Sequence, residues 1–178
     1  VKGDNYLKNH KLIETSNLIT DDSLLLSNFD LNWSFEDSAL NTSFKVFEDL
    51  SESNVHLPGI VLKPNMVLSV KDATKRADSK IVAKYTVDVL EETVPKDIPG
   101  IAFLSGGQED QESIDNLNEI NLYAKDKKAP WELTYSYGRG LQAAPLKIWS
   151  GNKSNVLDAQ NEFEKRGMSA SKARQGNY

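Results

Sequence analysis

Apolar positions are ordered along only part of the chain. Residues 1–43 are rich in Asn, Ser, Asp and Leu and carry short apolar patches such as Leu24-Leu25-Leu26, with neither the strand nor the helix period sustained. From Phe44 the pattern changes. Phe44, Phe47 and Leu50 recur every third residue with Lys45, Glu48 and Asp49 between them, which predicts a short amphipathic helix. An apolar run over 57–62, interrupted near its start by Pro58-Gly59, predicts a strand. Lys63-Pro64-Asn65 closes it, because a proline has no N–H for a sheet ladder and biases the residue before it to an extended conformation. Asp78 or Ser79 then caps a helix with Ile81, Val82, Tyr85, Val89 and Leu90 on one face, which stops before Pro95. The continuous apolar run 101–104 reads as a buried strand, broken by Ser105-Gly106-Gly107 and followed by a helix carrying Ile114, Leu117 and Ile120. A third strand is predicted over 131–137, ending at Gly138-Arg139, with a short helix over 141–149 and a longer one over 155–165. Strands that each lead into a helix predict parallel βα units.

Composition narrows the class. At 178 residues with 39% hydrophobic content, the chain fits one packed domain rather than a disordered tail. It has no apolar run of about eighteen residues to span a bilayer and no export leader, so no membrane association and a cytoplasmic address are expected. The absence of cysteine excludes a disulfide framework and thiol chemistry. Asn-x-Ser occurs at Asn32, Asn41 and Asn152, as chance supplies at this length. The chain starts at Val1 rather than methionine, as a processed, trimmed or incomplete product would. Net charge is −5, but the acidity is local: ten acidic and four basic residues precede Asn54, against sixteen and seventeen after it. No basic stripe suits nucleic acid, while the near-neutral later part has room for a local cationic site for an anionic small molecule.

Active residues of βα architectures gather at the C-terminal ends of strands, here Lys63, Ser105-Gly106-Gly107 and Ser136-Tyr137-Gly138-Arg139. A glycine pair after a strand lets backbone N–H groups approach an anion, and the helix start behind it adds the favourable end of a dipole. Arg139 adds a planar two-point donor for phosphate. Lys63 is the candidate nucleophile. Its amine attacks a carbonyl only when neutral, which calls for an apolar seat or cationic neighbours, expected here from a strand end beside Arg139. The ordinary alternative is a solvated surface lysine.

Three segments carry a family resemblance. Leu62-Lys63-Pro64-Asn65-Met66-Val67, Phe103-Leu104-Ser105-Gly106-Gly107-Gln108, and Ser136-Tyr137-Gly138-Arg139 with Leu141-Gln142 resemble class I, Schiff-base-forming fructose-bisphosphate aldolases, in the family's order. Asn116-Leu117-Asn118, Pro130-Trp131 and Leu146-Lys147 do too, so the resemblance covers residues 44–178. It implies an α/β fold of the (β/α)8 TIM-barrel family, of which this chain carries about three C-terminal βα units after an unassigned segment 1–43. It also implies a lyase that cleaves fructose 1,6-bisphosphate reversibly to dihydroxyacetone phosphate and glyceraldehyde 3-phosphate, without metal or other cofactor. By the same resemblance Lys63 forms the Schiff base, and Ser105, Gly106, Gly107, Ser136, Gly138 and Arg139 bind a substrate phosphate. The chain departs from the family pattern at Pro58 in place of glutamate, Gly140 in place of alanine, and Leu68-Ser69 in place of a small turn. The family's earlier strands, with their acidic proton-transfer residues, have no recognisable counterpart in 1–43, and Gln175-Gly176-Asn177-Tyr178 resembles an internal segment rather than the family's terminal tyrosine tail.

Other readings stay open at this point. Leu104-Ser105-Gly106-Gly107-Gln108 also spells the signature of ABC-type ATPases, but Gly151-Asn152-Lys153-Ser154 lacks the spacing of the phosphate-binding loop such a module needs. A zinc-dependent aldolase would need clustered histidines, and the chain has only His10 and His56. The structural rival is an inactive aldolase remnant or a non-catalytic phosphate-binding or interaction protein. Three βα units leave open parallel edges, which predicts a homo-oligomer or a complementing N-terminal half as partner.

Overall fold

The computed structural model describes residues 45–69 and 73–178. The apolar patch at Leu24-Leu25-Leu26, His10 and Phe44 lie outside the described residues. Residues 45–52 are helical, and Phe47 from this turn is buried in the main core. Lys45 on its outer side pairs with Asp49 at 2.6 Å.

The run 57–62 does not form one strand. Leu57–Gly59 closes a single 3-10 turn, with Ile60 N–H donating to Leu57 O at 3.0 Å, and strand β1 is only Val61–Leu62. Pro58 explains the change, since its missing N–H and fixed φ suit a turn and cost a sheet ladder. Strands β2 (Gly100–Phe103) and β3 (Glu132–Tyr135) complete a parallel sheet in the order β1-β2-β3. Val61 pairs with Gly100 and Leu62 with Ile101, while Gly100 to Phe103 pair with Glu132 to Tyr135 in register.

Helix α1 (Ser79–Thr93) begins at Asp78, whose carboxylate accepts from Ile81 N–H at 3.0 Å, and it ends at Val94, just before Pro95. Helix α2 (Asp110–Lys127) buries Ile114, Leu117, Ile120 and Ala124 against the sheet and α1. Helix α3 (Arg139–Trp149) starts two residues earlier than its apolar pattern suggested. Helix α4 (Val156–Arg174) runs well beyond residue 165 and packs on α2, α3 and β3. Its later turns carry Gly167 and small residues, a weak apolar signal, yet Ala170 and Ala173 are fully buried in the core. Small side chains there let the helix backbone approach its neighbours, and that packing keeps the segment helical.

The core centres on β2. Ile98, Ile101 and Phe103 are fully buried and meet Met66, Val87, Leu90, Ile114 and Leu117. Trp131, expected in the third strand, packs in the core just before it and donates its indole N–H to Pro95 O at 3.0 Å.

Candidate functional site

All three strands run the same way, so their C-terminal ends open on one side of the sheet. Backbone pairing continues past those ends. Leu104 N–H donates to Pro64 O at 2.9 Å, and Ser136 N–H donates to Phe103 O at 2.8 Å. The loops at 63–65, 105–107 and 136–138 are therefore held side by side. Asn65 Nδ2 donates to Gly106 O at 3.4 Å, which joins the first loop to the second. The second meets the third at Gly140, where an added Cβ would lie 3.1 Å from Ser105 Oγ and 3.6 Å from the Tyr137 ring. The glycine that replaces the expected alanine relieves that contact.

The second loop needs glycine at Gly107, whose φ of +77° lies in the left-handed region. Gln108 N–H then closes a turn on Ser105 O at 3.4 Å, and its side chain accepts from Asn116 Nδ2 at 2.8 Å, so α2 backs the loop. In the third loop, Gly138 caps α3 and its carbonyl receives both Leu141 and Gln142 N–H at 3.1 Å. The N–H groups of Arg139 and Gly140 start the helix and have no carbonyl one turn earlier to receive them. The first turn of α3 carries no carboxylate, and the exposed Arg139 stands there. Helix dipole and guanidinium thus favour an anion at one place.

The first turn of α2 differs, because it carries Asp110 and Glu112. Both are in ion pairs. Arg76 donates to Glu112 Oε1 through Nε at 3.0 Å and Nη2 at 2.7 Å, and Nη2 also reaches Gly107 O at 3.2 Å. Arg166, on α4, donates to Gly140 O through Nε at 3.3 Å and Nη2 at 3.1 Å and lies 3.7 Å from Asp110. These carboxylates are thereby balanced before any anion arrives.

The expected site residues converge. Ser105, Gly106 and Ser136 are half-buried, and Gly107, Gly138 and Arg139 are exposed, on three neighbouring loops. Lys63 follows β1 at the same end, but it is exposed, and no described residue makes a hydrogen bond or ion pair with it. The apolar seat expected beside Arg139 is not formed among the described residues. The reason is the position of β1, the edge strand of the described sheet, where Val61 is 61% exposed. Tyr137, between Ser136 and Gly138, serves the packing of the loop on α2. Its hydroxyl donates to Ser113 O at 2.7 Å, and burial pushes its phenol above the usual tyrosine range. It stays neutral at any ordinary pH.

Sequence reasoning missed Asn65, Arg76 and Arg166. Asn65 lies within the Lys63-Pro64-Asn65 motif and was legible as a loop residue. No local pattern singled out either arginine. His56 is exposed, and among the described residues no group of three or more His, Asp and Glu is placed to hold a metal ion. None of the described helices is long and apolar enough to cross a membrane.

The profile of the family described as Fructose-bisphosphate aldolase class-I matches residues 19–178, taking in part of the segment before Phe44. Fructose-bisphosphate aldolase 4, cytosolic, of Arabidopsis thaliana is 46% identical over 132 residues, covering 74% of this chain and 33% of that protein. Fructose-bisphosphate aldolase B of Bos taurus is 44% identical over 133 residues, covering 75% of this chain and 36% of that protein. The chain thus spans about a third of the length of the curated relatives it matches. A solved fructose-bisphosphate aldolase from Plasmodium falciparum, in complex with TRAP and a small-molecule inhibitor, superposes with a TM-score of 0.76 at 40% identity, over 80% of this chain and 40% of that one.

Proposed function

Because the chain belongs to the class I fructose-bisphosphate aldolase family, we propose that it carries the ketose-phosphate side of an aldolase site, with Lys63 as Schiff-base lysine. The three-stranded parallel sheet with its helices is a partial (β/α)8 barrel. In this reading Ser105, Gly106, Gly107, Ser136, Gly138 and Arg139 hold a phosphate of fructose 1,6-bisphosphate. The observation that carries it is the side-by-side alignment of the lysine loop with the two glycine loops by Leu104 N–H on Pro64 O and Ser136 N–H on Phe103 O. A phosphate held by the glycine loops delivers the ketone of the same molecule towards the lysine end of the sheet.

The chemistry follows from the amine. The free amine of Lys63 adds to the ketone carbon, and the carbinolamine takes up a proton and loses water. The iminium that remains draws in, as an enamine, the electrons of the carbon–carbon bond beta to it as glyceraldehyde 3-phosphate leaves. The hydroxyl proton of the departing aldehyde goes to a general base, a proton is returned to the enamine carbon to restore the iminium, and water then adds to release dihydroxyacetone phosphate and the lysine amine. Such bases are worth about 10² to 10⁴ in rate. Closing the barrel and supplying this base take strands other than β1 to β3, from residues outside the described ones or from a second chain, a homo-oligomer included. We place the activity in the cytoplasm, supported by the cytosolic Arabidopsis relative.

The test is covalent capture. Borohydride reduction with dihydroxyacetone phosphate is expected to leave a mass adduct on the peptide containing Lys63. A folded protein that gives no adduct at saturating ketose phosphate is an inactive remnant or a phosphate-binding protein, and the catalytic reading is then wrong. Arg139→Lys is expected to weaken sugar bisphosphate binding about tenfold, since the planar two-point contact is lost. Unchanged affinity by titration calorimetry removes Arg139 from the site.

A further inference from the structure

The two glycine loops share a device that the phosphate-binding residues themselves do not include. In each, a short turn is closed by one peptide plane: Gln108 N–H on Ser105 O at 3.4 Å in the second loop, and Leu141 N–H on Gly138 O at 3.1 Å in the third. The carbonyls at the other side of those same planes belong to Gly107 and Gly140. Each is taken by an arginine from elsewhere in the chain, Arg76 at 3.2 Å for Gly107 and Arg166 at 3.1 Å for Gly140. Each arginine then pairs with a carboxylate of the first turn of α2, Glu112 at 2.7 Å and Asp110 at 3.7 Å. A trans peptide is rigid, so fixing its carbonyl fixes its N–H and the turn it closes.

We propose that Arg76 and Arg166 are positioning residues that hold the two glycine loops in their anion-binding conformation and neutralise the α2 carboxylates that would otherwise repel a phosphate. This rests on the phosphate reading of the loops, and it names residues that touch no part of the ligand. Glycine peptides have broad conformational freedom, so an unclamped loop spends part of its time with its N–H groups turned away from the ligand. Apparent affinity falls by the fraction of competent conformers. Arg166 is the stronger case, since it has two contacts to one carbonyl and its side chain is 13% exposed, against 26% for Arg76. Asp110 and Glu112 also sit at the positive end of the α2 dipole, which favours their charge. Their pairing with arginine lets the helix keep acidic residues at its start without placing uncompensated negative charge beside the loops.

The experiment is a titration of the full chain with inorganic phosphate, followed through the backbone amide resonances of Gly106, Gly107, Arg139 and Gly140. Arg166→Met is expected to raise the apparent dissociation constant about tenfold, the scale of a lost charge-assisted hydrogen bond. Arg166→Lys should recover part of the loss, because a cation beside Asp110 remains. Arg76→Met should act in the same direction and, if Arg166→Met does not fold, carries the test with Arg166→Lys. Phosphate affinity unchanged in the folded variants overturns the proposal, as does a wild-type titration that leaves these amides unmoved. Lys63 capture separates the two claims. Phosphate-dependent shifts that fall in Arg166→Met, without any Lys63 adduct in the wild type, sink the aldolase reading and keep the positioning role. An adduct with unaltered phosphate affinity in the variants does the reverse.

Discussion

Lys63→Ala is expected to eliminate the borohydride-stable adduct with dihydroxyacetone phosphate entirely, and Lys63→Arg to do the same. The alanine removes the nucleophile. The arginine keeps the charge, but its guanidinium stays protonated and cannot form the imine. Because Lys63 is exposed and no described residue is bound to it, neither change should alter stability by more than about 0.5 kcal/mol, the usual range for surface substitutions. Peptide mass mapping of reduced protein, with thermal unfolding measured on the same samples, separates loss of chemistry from loss of fold. An adduct formed at wild-type yield by Lys63→Ala would move the nucleophile to another lysine and overturn the assignment.

Phe103→Ala carries the largest expected stability cost in the described fold. Phe103 is fully buried at the end of the central strand, and an alanine there leaves a cavity worth about 3–5 kcal/mol. A domain of this size has only about 5–15 kcal/mol in hand. Phe103 also precedes the Ser105-Gly106-Gly107 loop, and its carbonyl holds Ser136 N–H, so relaxation into the cavity should loosen both glycine loops and reduce Lys63 capture as well. Urea denaturation gives the cost. A loss below about 1 kcal/mol, no more than an average substitution, would mean that β2 is not the centre of this core.

Much of the site was legible because its chemistry is local. Lys63-Pro64-Asn65, Ser105-Gly106-Gly107 and Gly138-Arg139 each interrupt a strand by a rule that acts within a few residues: a missing N–H, a left-handed φ, a helix start. Proline and glycine leave that mark in any context. The same locality made Asp78 readable as a cap and Pro95 as the point a helix had to end. Where burial decided, reading by pattern went astray. The end of α4, written in alanine, serine and glycine, is helical because Ala170 and Ala173 are packed against the core, whereas the 3-10 turn at Leu57–Gly59 that replaced half of an apolar run is a local effect of Pro58 and buries no residue.

The sequence by itself determined the order of βα units, the loop chemistry at the strand ends and the family those motifs spell. Only the tertiary structure decided which loops touch, that Gly140 sits against Ser105, and that Lys63 stands on an exposed edge. It also decided the arginine clamps, since Arg76 reaches Gly107 across 31 positions and Arg166 reaches Gly140 across 26. The physical reason is range. Backbone preferences act through neighbouring atoms and leave their trace in adjacent residues, whereas a guanidinium meets a distant carbonyl only after helices have packed on a sheet, and packing depends on the whole set of buried side chains at once.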